Sequence, residues 1–186
     1  GPEGHVMVPE VSTVACQWKF ADGILTASPQ WDSVITPDVY QDFLLHVEFN
    51  VNDRPGVDLE ANGNSGVYIQ QRYEIQILNS HGIAPEDYKA SYAGSLYRQK
   101  KPDKLVSKPA GEWQSYDIIF RAARFEGEKK VAKARISVKH NGVLIHDDYA
   151  LTNKTGRGKK EGPEPFPIKL QGHENQVRFR NIWIQR

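Results

Sequence analysis

Alternation of apolar and polar residues dominates this chain. FLLHVEFNV (43–51) sets Phe43, Leu45, Val47, Phe49 and Val51 on one face and Leu44, His46, Glu48 and Asn50 on the other, the period-2 signature of a half-buried strand. SGVYIQ (65–70) opposes Val67 and Ile69 to Tyr68 and Gln70, and YEIQIL (73–78) turns Tyr73, Ile75 and Ile77 inward and Glu74 and Gln76 outward. The short break at Gln71-Arg72 predicts a tight hairpin between them. SYDIIFRA (115–122) alternates Tyr116, Ile118 and Phe120 with Asp117, Ile119 and Arg121. Residues 134–147 read as two strands around Asn141-Gly142, 16–28 as two around Asp22-Gly23, and 167–171 and 176–185 as two more. Asn-Gly and Asp-Gly supply the left-handed residues that hairpin turns require. Helical signals are confined to single turns at 36–43, where Thr36 and Pro37 could start one, and at 84–90. Many short strands punctuated by Gly, Pro and Asn predict an all-β, antiparallel jelly-roll sandwich of two sheets.

Composition narrows the picture. The 186 residues fit one domain large enough to bury about 70% of its unfolded surface. With 24 Lys and Arg against 23 Asp and Glu, the net charge of +1 gives no electrostatic reason to expect nucleic acid. The basic clusters at 100–108 and 154–162 lack interleaved aromatics and read as solvated loops. Cys16 is the single cysteine, so no intrachain disulfide forms, and its place in a strand pattern suggests a small core residue. No apolar run approaches the ~18 residues of a membrane span. GPEGHVMVPE reads as a protease scar and the start of a loose tail over residues 1–14, ahead of a domain at 15–186; any signal peptide is expected to have been removed.

The outward positions of three strands carry amides, a tyrosine, carboxylates and a guanidinium: Tyr68 and Gln70, Glu74 and Gln76, Asp117 and Arg121. Planar donors and acceptors beside an aromatic face suit sugar hydroxyls and C–H surfaces. An ordinary wet sheet face would have the same composition, and alternation alone does not separate the two. No H-E-x-x-H or EF-hand spacing, phosphate loop or nucleophile elbow occurs.

Several separated segments carry a resemblance: NGNSGVYIQQRYEIQILNS (62–80), AGSLY (93–97), KPAGEWQSYDIIFRAARF (108–125), HNGVLIHDD (140–148) and PIKLQGHENQVRFRNIWI (167–184). In this order they resemble the 3-keto-disaccharide hydrolase family, which has a concanavalin-like jelly-roll fold. The resemblance runs from about residue 15 onward. It implies a secreted or periplasmic protein acting on glycosides whose C3 hydroxyl is already a ketone.

That substrate class changes what the site needs. A retaining glycosidase needs two carboxyls ~5 Å apart, and the strand bearing Glu74 continues with Gln76 rather than a second acid. A 3-keto sugar has an acidified C2–H, so one base, a proton donor for the leaving oxygen and a group stabilising the enolate suffice for elimination, or for net hydrolysis where water adds back to the enone. Glu74 is the first candidate, as a catalytic group or metal ligand, against a structural ion pair with Arg121 or Arg72. His173 is the second, a neutral imidazole able to act as base or ligand; Glu174 follows it where the family commonly has glycine. Arg121 could hold the enolate oxygen and Asp117 orient it or donate a proton, or the two could simply pair with each other. Tyr68, Gln70, Gln76, Tyr97, Asn64 and Lys108 are the candidate sugar contacts. A divalent metal on Glu74 and His173 is possible, though no spacing demands one. The competing readings are a non-catalytic lectin-like module on the same face and a conventional glycoside hydrolase using Asp117 or Glu48 as second carboxylate.

Overall fold

The structure, a computed structural model, describes residues 7–11 and 16–186. In chain order the strands are β1 (Val8–Pro9), β2 (Lys19–Ala21), β3 (Ile24–Thr26), β4 (Val34–Ile35), β5 (Phe43–Asn50), β6 (Ser65–Ile69), β7 (Tyr73–Ile77), β8 (Gln114–Arg121), β9 (Arg124–Glu126), β10 (Lys129–Ala132), β11 (Arg135–His140), β12 (Val143–Ala150), β13 (Lys169–Leu170) and β14 (Arg178–Gln185). They form a five-stranded sheet, β1-β4-β13-β6-β7, and a seven-stranded sheet, β12-β11-β8-β5-β14-β3-β2, with β9-β10 a separate hairpin. All pairings are antiparallel, the jelly-roll sandwich that alternation predicts.

The core is what the period-2 faces bury. Phe43, Leu45, Val47 and Phe49 of β5 and Tyr116, Ile118 and Phe120 of β8 pack against Val67, Ile69, Tyr73, Ile75 and Ile77 of the other sheet. Asp22 and Gly23, and likewise Asn141 and Gly142, hold positive φ at their hairpin turns, as expected.

Three expectations change. The β6–β7 turn is centred on Gln70 and Gln71, both at φ 53°, closed by Arg72 N–H donating to the Ile69 carbonyl at 3.0 Å, so Gln70 belongs to the turn and not to the outward face. No helix forms over 36–43; the Thr36 hydroxyl instead accepts from Ile168 N–H at 3.0 Å and donates to the Asp38 carbonyl at 2.8 Å. The other expected single turn does form, as the 3-10 turn Pro85–Asp87 within 84–90. Cys16 is exposed and outside any strand. The expected tail, residues 1–14, lies mostly outside the described residues, and Val8–Pro9 within it pair with β4. No helix among the described residues is long and apolar enough to cross a membrane.

Candidate functional site

Glu74 sits at the centre of β7, facing away from the core, yet only 3% exposed. The reason is a third layer. Residues 94–97 run along the free edge of β7, with Gly94 N–H donating to the Gln76 carbonyl, Gln76 N–H to the Ser95 carbonyl and Tyr97 N–H to the Glu74 carbonyl, at 3.0, 3.0 and 3.1 Å. The 155–159 loop is stitched to the start of the strand: Thr155 N–H donates to the Arg72 carbonyl at 2.9 Å, and Glu74 N–H donates to the Thr155 hydroxyl at 2.8 Å. Between these loops a cleft of about 430 Å³ opens, lined by Glu74, Tyr68, Gln76, Asn64, Gln171, His173, Tyr97, Trp31, Arg98, Gly156 and Arg157.

Gly66 makes the position of the carboxyl possible. It lies on β6 diagonal to Glu74, and a Cβ built there would stand 2.8 Å from Glu74 Cδ and 2.9 Å from its Cγ. The missing side chain lets the carboxyl lie flat across the neighbouring strand. Tyr68, directly opposite Glu74 in the ladder, hydrogen-bonds to it. Burial pushes the Glu74 pKa from the ordinary 4.5 up to about 8, opposed by the Tyr68 hydrogen bond and the Lys169 charge, so the carboxyl is largely protonated at pH 7. Burial also raises the Tyr68 phenol, with the adjacent Glu74 adding to it.

His173 reaches the cleft from the 171–175 loop. Its imidazole lies against the Trp31 ring, centroids 4.1 Å apart. Burial lowers its pKa below the usual 6.5, helped by the nearby Arg157 charge and opposed by hydrogen bonding and Glu174; the ring is neutral at pH 7. Asn175 fastens the loop, donating to the His173 carbonyl at 2.8 Å and to the Ala61 carbonyl at 3.1 Å and accepting from Gly63 N–H at 3.0 Å. Glu174 occupies φ 58°, a left-handed conformation that glycine would adopt without strain.

Of the remaining candidates, Asn64, Gln76 and Tyr97 line the cleft with Glu74, Tyr68 and His173. The Gln76 amide donates to Asn64 Oδ1 at 3.0 Å and to the Ser65 and Ile77 carbonyls at 3.0 and 2.7 Å, so it braces the floor. Four candidates lie elsewhere. Gln70 is buried in the turn, donating to the Tyr40 carbonyl and Gln41 at 2.7 Å each and accepting from Arg72 at 3.0 Å. Lys108 N–H donates to Gln114 Oε1 at 3.1 Å and its ammonium to the Trp113 carbonyl at 3.3 Å. Asp117 and Arg121 belong to β8 in the opposite sheet and point away from the core, so the sandwich itself separates them from Glu74. They do not form the expected pair: Asp117 Oδ1 meets His46 Nδ1 at 2.6 Å. Glu48, on the same outer face, accepts from Arg180 at 2.9 Å.

A two-carboxylate glycosidase site is therefore excluded in this cleft, whose lining holds Glu74 as its one acid. A divalent-cation site does not fit either. Among the described residues no group of three or more His, Cys, Asp or Glu side chains comes together, and the Glu74 carboxyl is held by Tyr68 in a setting that favours its proton. Trp31, Arg98, Arg157 and Gln171 also line the cleft, all from outside the strands; Arg157 belongs to the basic cluster at 154–162 that reads from sequence as a solvated loop.

The cleft thus lies on the outer face of the smaller sheet of a jelly-roll sandwich, walled by polar and aromatic side chains. Residues 8–185 match the 3-keto-alpha-glucoside-1,2-lyase-like domain, and the chain belongs to that family. A crystal structure described as a putative glycosyl hydrolase from Parabacteroides distasonis superposes with a TM-score of 0.83 at 29% identity, over 92% of this chain and 75% of that one. A second so described, from the same organism, gives 0.60 at 27%, over 90% and 89%. A third shares the fold, at 0.64 and 15% identity over 90% and 82%. No curated protein matches the chain.

Proposed function

We propose that this domain cleaves 3-keto-glycosides by eliminating the C1 substituent across C1–C2, in a periplasmic or extracellular setting. The observation that carries the reading is a lone carboxyl whose environment keeps it protonated, facing a cleft shared with a neutral imidazole. Environments that push two titratable groups apart assign the acid and the base. His173 takes the proton from C2, and the C–H electron pair moves into a C2–C3 double bond, leaving the negative charge on the C3 oxygen. Arg157, close enough to depress both the Tyr68 and His173 pKa values, supplies the positive field that stabilises this enolate. The carbonyl then re-forms, the double bond shifts to C1–C2, and the C1–O bond breaks as Glu74 gives its proton to the departing oxygen. Tyr68 orients the Glu74 carboxyl, and Trp31 and Tyr97 offer aromatic faces for the sugar's C–H surface. No second acid is needed, which accounts for an amide at position 76.

Incubation with a 3-keto-glucoside of a chromogenic alcohol tests the reading. The expected result is release of the alcohol together with a conjugated enone, both abolished in Glu74→Gln and His173→Ala. Saturable binding of the same sugar without turnover would instead identify a lectin-like module.

A further inference from the structure

The charge balance of the cleft exceeds what an elimination of a neutral sugar requires. Its lining includes two arginines, Arg98 and Arg157, against one carboxyl that is largely protonated at pH 7 and one neutral imidazole. One positive group suffices for an enolate. Arg157 fills that role from the 155–159 loop, where Gly156 abuts the Tyr97 ring and Gly158 lets the loop press against the Arg72 backbone. The Lys154 ammonium, donating to the Gly156 carbonyl at 2.5 Å, adds charge to the same loop. Arg98 is the surplus.

Arg98 is also placed at a cost. Its backbone sits at φ 55°, a left-handed conformation that favours Gly, Asn or Asp. It is held there by its N–H donating to the Ala90 carbonyl at 2.8 Å and by the Leu96–Lys100 turn around it. From that position the guanidinium lies 5.1 Å from the centre of the Tyr97 ring. A turn that would accept asparagine more readily instead carries an exposed arginine on the cleft wall.

We infer that the leaving group of this enzyme is acidic: Arg98 binds a carboxylate on the moiety attached to C1, such as a uronic acid residue, while Tyr97 supports its ring. The inference rests on the elimination reading for its placement of the scissile bond, but its own observable is charge selectivity. A guanidinium matches a carboxylate with two parallel hydrogen bonds, and a cleft that concentrates positive charge raises the capture rate of an anion at low salt.

The test pairs two unoxidised disaccharides, glucosyl-glucuronate and its neutral glucosyl-glucose counterpart, in calorimetric titrations of the whole chain at 20 and 300 mM salt. The corresponding 3-keto compounds are assayed for turnover in parallel. The acidic sugar should bind at least about tenfold more tightly at low salt, with the preference shrinking at high salt. Arg98→Asn, which removes the charge and suits the left-handed backbone, should collapse the preference, and Arg98→Lys should keep part of it. Equal binding of the two sugars, no binding of either, or an acid preference unchanged in Arg98→Asn overturns the inference. Selective binding of the acidic sugar without turnover of either keto compound upholds Arg98 as a carboxylate-binding residue and refutes the elimination reading, and with it the identity of that moiety as a leaving group.

Discussion

Replacing Glu74 by glutamine should stabilise the protein, and the gain should grow with pH. In the folded chain the carboxyl keeps its proton up to about pH 8, whereas the unfolded chain releases it near the ordinary 4.5. Between these values the native state binds a proton that the unfolded state lacks, so stability falls as pH rises. Below the unfolded value both states are protonated and the penalty disappears. Each unit of the gap corresponds to about 1.36 kcal/mol. The penalty therefore reaches roughly 3 kcal/mol at pH 7 and saturates at about 5 kcal/mol above pH 8. The substituted amide retains the shape of the carboxyl and a hydrogen-bond acceptor for Tyr68, and it never ionises. Urea unfolding of the two proteins at pH 4, 5.5, 7 and 8.5 measures the difference. With a slope of about 2 kcal/mol per molar, the midpoint gap should open from near zero at pH 4 to ~1.5 M at pH 7. A gap that stays constant across this range would refute the buried, protonated carboxyl, and with it the assignment of Glu74 as the acid.

Other consequences follow from the same geometry. Gly66→Ala should swing the Glu74 carboxyl off β6, lowering kcat/KM at least about a hundredfold while costing only ~1–2 kcal/mol of stability, the scale of one displaced buried hydrogen bond; circular-dichroism melts beside kinetics separate the two effects. The pH profile of kcat/KM should be a bell, rising as His173 loses its proton below 6.5 and falling as Glu74 ionises at about 8; His173→Ala should remove the acidic limb along with most of the rate. Asn175→Ala frees the loop that carries His173 and should reduce kcat/KM by about tenfold with a smaller change in stability. Asp117→Asn, on the far side of the sandwich, should leave kcat/KM within about twofold.

How far the sequence reaches can be judged on particular residues. Period-2 alternation assigns the inward and outward side chains of β5, β7 and β8 because a strand has only two faces, and Asp22-Gly23 and Asn141-Gly142 mark the β2–β3 and β11–β12 turns through the left-handed backbone they tolerate. Alternation cannot say on which sheet an outward face lies. Glu74 and Asp117 are both outward, but the sandwich has two outer surfaces and they occupy different ones. The placement of Gln70 failed for a different reason: two consecutive non-glycine residues at positive φ leave no compositional mark, so the turn absorbed a residue that the pattern gave to the strand. Glu74's surroundings depend on long-range coverage. The 94–97 and 155–159 segments bury an outward carboxyl that a lone sheet would leave wet, and they bring Arg98 and Arg157 beside it. Gly66 was visible as a letter in NSGVY, but its meaning lies in a cross-strand diagonal that exists only once β6 and β7 are paired.

The fate of the hydrogen on C2 probes the chemistry most directly. A 3-keto-glucoside carrying deuterium at C2, turned over in ordinary water and followed by NMR, should yield product without the label, because elimination removes that atom even where water later adds back. Product that retains deuterium at C2 would mean the glycosidic bond broke by direct displacement, and the roles given to His173 and Glu74 would be wrong.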